Sequence, residues 1–353
     1  MSQSSDLSRP DEAADNIRDP ERAMIESQRR LLHAQNERLE TEFVGMLPLP
    51  PKLSYDTTSR ATINDGLRKF YDDCTLGKLD EVKQYVDEEE PGVDYLQYGL
   101  TNAAREGHAD IVRYLFRKGA QLTSQVLYAG CEKPTLSFFK CLVEEKSWHP
   151  NQAMQSSGVA LPYCVANEEV LRYLLDLGAD PSLGAHPQAF DPSPPTDRRS
   201  GEALNNAAVR CQPRIIDLLI EHGAKLEYAR PIHRAALAHS EQNDRRPMIQ
   251  HLIDLGVDLN GGDGSRPGSG DTPLSAVVKC ERIQAAELLL DLGAHPDGPF
   301  EKPPWYTALV EKVKARKGND AFVADVKAAM AKGIARGAYP MPYIPQVHGI
   351  AGT

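Results

Sequence analysis

No apolar run in this 353-residue chain approaches the roughly 18–20 residues needed to cross a bilayer. The first residues lack the charged-then-apolar profile of a secretory leader, so the sequence predicts an intracellular protein, cytoplasmic or nuclear. Its six cysteines, at positions 74, 131, 141, 164, 211 and 280, include no Cys-x-x-Cys pair. That scatter speaks against a zinc or disulfide framework and predicts reduced thiols in small core positions. Basic charge is also short: 40 Lys and Arg stand against 50 Asp and Glu, a net charge of −10. Broad binding to nucleic acid or to an anionic membrane is not expected of such a chain.

Catalytic signatures are missing as well. The glycine-rich stretch Asn260 to Asp271 carries Asp263 where a phosphate-cradling loop needs lysine and open amides, and it lacks the alternating acids and closing Glu of a calcium loop. His233 and His239 are six apart rather than four, and no His-Glu-x-x-His occurs. Its serines stand in a glycine-rich loop with no apolar strand before it, which is not the setting of a nucleophile turn. The sequence therefore predicts no catalytic residue, no metal and no cofactor.

What is present is a phrase repeated imperfectly: a Leu-rich helical run ending in Gly-Ala or Gly-Val. It closes at Gly119-Ala120, Gly178-Ala179, Gly223-Ala224, Gly256-Val257 and Gly293-Ala294. A second landmark, the leucine-type residue of the preceding helix, falls at Leu100, Leu127, Leu161, Leu204, Ile232, Leu274 and Leu309. Six steps cover 209 residues, a mean of about 35. Repetition on this scale predicts a solenoid of stacked helix pairs.

Period alone does not separate the two repeat classes of nearly this length, so local signatures decide. Thr272-Pro273-Leu274 and Pro231-Ile232-His233-Arg234-Ala235-Ala236 resemble the Thr-Pro-Leu-His-x-Ala opening of ankyrin repeats, whereas the Trp, Tyr and Pro pattern of tetratricopeptide repeats is missing. The unit Leu100 to Ala120 matches best. Ala103 and Ala104 let its first helix lie close to its neighbours, and Ile111, Val112, Leu115 and Phe116 form one apolar stripe. The resemblance is to the ankyrin repeat family over residues 64–336, in about seven to eight repeats. It implies an all-α solenoid whose concave face and loop tips bind other proteins. His233 then falls where the family places a histidine that hydrogen-bonds within the fold.

Outside the array, residues 1–17 are expected to be disordered, and residues 18–59 to hold one amphipathic helix and the Pro-rich linker 46–53. The Pro and Tyr tail, 337–353, follows the array. Within it, insertions are expected at 183–201, 240–247 and 260–271. The first unit, Gly66 to Val86, is degenerate. The third, Leu127 to Trp148, lacks the Gly-Ala ending and closes on polar Glu145-Lys146, so distortion is expected there. Cys211 stands where the turn glycine belongs.

Counted from the landmark leucine, offsets two, five and six should face the concave side. They read Asn102, Arg105 and Glu106; Ala129, Glu132 and Lys133; Tyr163; Asn206, Val209 and Arg210; Arg234; Ala276 and Lys279. That stripe is positively biased in an acidic protein, which points to an acidic peptide or protein face as partner. Tyr95, Tyr98, Trp148, Tyr228, Trp305 and Tyr306, near loop tips, are further candidate anchors. The expected function is a non-catalytic adaptor or scaffold. An alternative is a regulatory subunit that masks a partner, with the N-terminal segment controlling access; an enzyme with an unrecognised site ranks third. The sequence leaves the oligomeric state open.

Overall fold

The structure, a computed structural model, describes Leu47 and residues 65–154, 158–185, 196–262, 271–297 and 301–335. The expected N-terminal disorder and helix, all of the linker but Leu47, the interiors of the first and third insertions and the C-terminal tail lie outside the described residues. Sixteen α-helices among the described residues form eight successive pairs: α1 (Asp65–Leu76) with α2 (Leu79–Glu89), α3 (Val93–Glu106) with α4 (Ala109–Arg117), α5 (Ser124–Glu132) with α6 (Leu136–Lys146), and α7 (Leu161–Cys164) with α8 (Glu168–Asp176). The second half comprises α9 (Glu202–Arg210) with α10 (Pro213–Glu221), α11 (Pro231–Ala238) with α12 (Arg246–Asp254), α13 (Pro273–Lys279) with α14 (Ile283–Asp291), and α15 (Pro304–Lys317) with α16 (Asn319–Ala335).

Local chemistry sets where these helices begin. Thr123, Thr135, Asn167 and Thr272 each accept a hydrogen bond from the backbone N–H three residues on, while Pro213, Pro231, Pro273 and Pro304 open helices at the position where a missing N–H costs nothing. The landmark residues Leu100, Leu127, Leu161, Leu204, Ile232 and Leu274 are at most 1% exposed and belong to one unbroken core. Small residues bring the first helices together. At Gly99, on α3, an added β-carbon would lie 2.7 Å from the Phe70 ring on α1, so the backbone itself is the packing surface. At most junctions first helices of neighbouring repeats pack more closely on one another than second helices do, the step from the third to the fourth repeat, where α7 is only four residues long, being an exception. A row with shorter spacing must lie on the inside of a bend, and the stack therefore curves with its first helices on the concave side.

Five of the second helices, α4, α8, α10, α12 and α14, close the same way. After α4, Gly119 takes a left-handed φ of 104° and the Ala120 N–H returns to the Leu115 carbonyl at 3.1 Å. Ala179, Val257 and Ala294 repeat that five-residue return to Leu174, Leu252 and Leu289. The third unit lacks the Gly-Ala ending and is distorted there, as its sequence predicts. Ser147, at φ 49°, replaces the glycine one residue late, and Trp148 takes the alanine's place, its N–H reaching Leu142 O at 3.3 Å over six residues. The distortion is thus one extra residue, stabilised by an indole that is 1% exposed against Phe139.

At Cys211 the missing turn glycine is compensated from outside. The backbone there is extended, and the Arg245 guanidinium, from the insertion in the sixth repeat, donates to the Cys211 carbonyl at 2.9 Å and reaches Val209 O at 3.5 Å. That insertion is a tight hairpin, with Ser240 paired to Asn243. Five cysteines are buried as expected; Cys280 is exposed, a departure that follows from its place at the end of α13. No helix of the described residues is long and apolar enough to cross a membrane.

Trp148→Ala recreates the residue that fills this position in other repeats, yet the third loop has grown around the indole. A loss of about 3–5 kcal/mol is expected, from the emptied space and lost contacts, read as a lower urea midpoint with faster amide exchange over residues 136–176.

Candidate partner-binding groove

The concave stripe is less uniformly basic than its sequence suggests, because most of its cations are already held. Arg105 Nε donates to Glu132 Oε2 at 3.2 Å and its guanidinium to Asn102 Oδ1 at 3.3 Å. Lys133 Nζ donates to Glu106 Oε2 at 2.5 Å, and that hydrogen bond holds the Glu106 carboxyl below the usual carboxylate range. Lys279 Nζ is bound to Asp271 Oδ1 at 2.5 Å. Arg210 and Arg234, on the neighbouring helices α9 and α11, are exposed and form no ion pair among the described residues. Within this stripe, positive charge without an ion-pair partner therefore falls in the fifth and sixth repeats.

Aromatic character occupies a different stretch. Tyr163, on the short α7, meets Tyr128 edge-on at 5.7 Å, and desolvation, reinforced by the charge of Glu202, pushes its hydroxyl pKa up. Asn206 is tied down, donating through Nδ2 to Pro162 O at 3.0 Å. At the start of the array Tyr95 and Tyr98 are 46% and 48% exposed, with Tyr98 edge-on to Tyr71 at 4.6 Å. Tyr228 is half-buried under Lys225, and Trp305 is half-buried against the core. Trp148 and Tyr306 are corrected: both are 1% exposed, so they hold loops in place and offer no surface. Tyr306 Oη donates to Pro296 O at 3.0 Å. His233 bonds Asp271 O through Nε2 at 2.7 Å, as a structural histidine.

The loop row rests on contacts the sequence reading passed over. Two residues after His149, Asp180, Asp258 and His295, a backbone N–H donates back to the side chain, at 3.1, 2.8, 2.8 and 3.0 Å. Asn151 and Asn260, the donors in two of these turns, then accept the N–H of Asp180 and His295 in the next loop, at 2.8 and 2.7 Å. The signal was present as an acid or histidine followed two positions on by Asn, Ser or Asp. Tyr128, one position before the counted stripe, was also missed. A fourth expanded loop follows Trp148: thirteen positions lead to Leu161, where Ala120 to Leu127 takes seven and Ala224 to Ile232 takes eight.

Nothing in this arrangement resembles a reaction centre. Among the described residues no three His, Cys, Asp or Glu side chains gather as a metal site would require. Burial raises the pKa of the Cys141 and Cys211 thiols to about 11, away from nucleophilic character.

Comparisons with known proteins agree with the repeat reading over part of the chain. It is 42% identical over 101 residues to ankyrin repeat and SOCS box protein 6 of Homo sapiens and of Pongo abelii, matches that cover 26% of this chain and 23% of each relative. The Mus musculus protein is 42% identical over 64 residues, 17% of this chain and 15% of the relative. The matches thus span less than a quarter of those relatives. Among solved structures, the human ASB11 ankyrin repeat domain superposes with a TM-score of 0.44 at 17% identity, covering 70% of this chain and 97% of that one. A chain of the Bdellovibrio bacteriovorus Bd0816 predatory endopeptidase complex with immunity protein Bd3460 gives 0.40 at 19% identity, over 52% and 96%. Scores this low carry no argument. No family model matches the chain.

The His149 turn makes stability depend on pH. Its Nδ1 accepts the Asn151 N–H, which requires a neutral ring, and burial holds the imidazole pKa down at about 4 against 6.5 when free. The unfolded chain therefore binds the extra proton first, and stability present above pH 6.5 is lost as pH falls toward 4, by about 2–3 kcal/mol. His149→Asn keeps an acceptor that does not titrate, so its urea midpoints at pH 7 and pH 5 should differ less than the parent's.

Proposed function

The described residues form an ankyrin-repeat array, and from that premise we propose that the chain is a non-catalytic protein-binding module whose concave face takes an acidic segment of a partner. One observation carries the reading. Of the five cations in the stripe, three are neutralised within the array, while Arg210 and Arg234 are left exposed on adjacent first helices. First helices that pack side by side lie about 10 Å apart, a spacing that a polyproline-II peptide with an acid every third residue, about 9.3 Å per turn, can follow on one face. Guanidinium groups suit this role because each offers a planar fork to a carboxylate.

The remaining candidates take supporting parts. Tyr128 and Tyr163 supply an apolar surface with polar tips next to the charged stretch, and Tyr95 and Tyr98 extend the contact surface toward the first repeat. Asn102, Arg105, Glu106, Asn206 and Lys279 are engaged within the fold, and they shape the groove more than they grip a ligand.

Charge reversal separates the two groups. With fluorescent Asp- and Glu-rich peptides as probes, Arg210→Glu with Arg234→Glu should weaken binding at least about tenfold, or ~1.4 kcal/mol, and flatten its salt dependence. Arg105→Glu, whose charge is already spent on Glu132, should cost much less. Equal losses for the two variants, or no loss for the double variant, would defeat the assignment.

A further inference from the structure

Leu47 is separated from the first helix by 17 residues, yet it is 4% exposed within the same continuous core, and its backbone N–H donates to Ala153 O at 2.9 Å. We propose that the expanded loop after the third repeat is a docking site for an extended, leucine-bearing segment, filled at rest by Leu47 of this same chain.

The receiving surface is built. Ala153, Met154 and Val159 are each at most 1% exposed, and the Met154 N–H donates to Gly158 O at 2.7 Å, closing the loop on itself. The Ala153 carbonyl is thereby turned out as the acceptor that Leu47 satisfies, a one-rung version of the backbone pairing by which extended peptides add to a structured edge. No comparable ledge exists after the second and fifth repeats, whose loops are five or six residues shorter. It arises where Trp148 has displaced the usual Gly-Ala ending.

Reach makes the occupant detachable. The 18 steps from Leu47 to Asp65 extend to ~60 Å, whereas the few repeats between the ledge and α1 span only ~20–30 Å. The covalent connection by itself does not force Leu47 into place; its own contacts hold it, as a tethered ligand at an effective concentration on the order of millimolar. The site also borders the groove. A β-carbon added at Gly158 would stand 3.2 Å from Tyr128 Oη and 3.7 Å from Tyr163 Oη. Gly158, at the edge of the ledge that holds Leu47, thus meets the aromatic pair, and a partner segment crossing there has to meet or displace Leu47. Nothing in this assignment depends on the charge of what the groove binds.

Two measurements on the full-length chain test it. The Leu47 amide should exchange with deuterium at least about tenfold more slowly than a free amide, and Leu47→Asp should abolish that protection and speed exchange over residues 150–154 while leaving residues 97–131 unchanged. A labelled peptide of residues 42–52 should bind the Leu47→Asp chain at least about tenfold more tightly than the parent, whose site is occupied in cis, and Leu47→Met should behave as the parent. Free exchange at Leu47, equal peptide binding by parent and variant, or binding by neither would overturn the proposal.

Discussion

The seam between first helices is the constraint on which everything else rests. Leucine-type residues fill it once per repeat, and alanine or glycine must flank them, because a larger residue there would separate neighbouring backbones and expose the apolar row on both sides. Gly99 under Phe70 shows how little room remains. Close spacing on this side bends the stack, and the bend gives the protein a concave face. Fold and binding surface are consequences of the same packing.

That economy limits where variation can enter. No first helix tolerates bulk along the seam, so departures gather at the ends of helices and in loops, and each is repaired by a neighbour. Arg245 satisfies the end of α9 where Cys211 replaces glycine; Trp148 fills the turn that Ser147 closes late; the side-chain amides of Asn151 and Asn260 tie each loop to the next. Repairs of this kind couple adjacent repeats more tightly than an idealised array, since the third loop and the sixth insertion each depend on groups outside their own unit. Cooperative unfolding should be strongest across those junctions.

Features that recur were legible in the sequence, and features that occur once were not. Leu100 to Leu274 announced the seam by spacing, and Gly119, Gly178 and Gly293 announced the helix ends by a conformation few other residues adopt. Ser147 hid its left-handed turn because serine rarely adopts one, and Trp148 read as a loop-tip anchor because an aromatic beside a polar run gives no sign of burial. The candidate groove was visible as a column of offsets, but its charge was misread in part. Which cations are free depends on acids 27 residues away, such as Glu132 for Arg105, and that pairing is set by the rotation of one helix against the next. Leu47 gave no periodic signal at all, being a single residue that reaches across three repeats of sequence.

The distribution of ion pairs gives the free arginines their weight. On the convex face several junctions are laced from one second helix to the next: Lys118 with Asp87, Arg113 with Glu144, Arg214 with Glu168 and Arg246 with Asp291. Each exposed pair contributes little to stability. Their collective effect is to neutralise these four cations on the outer side. By contrast, Arg210 and Arg234 stand out as an uncompensated pair on the inner side. An acidic partner approaching through solvent meets the net negative charge of the chain, and two neighbouring free guanidinium groups on the inner side offer it a local attraction that sets orientation before contact is made.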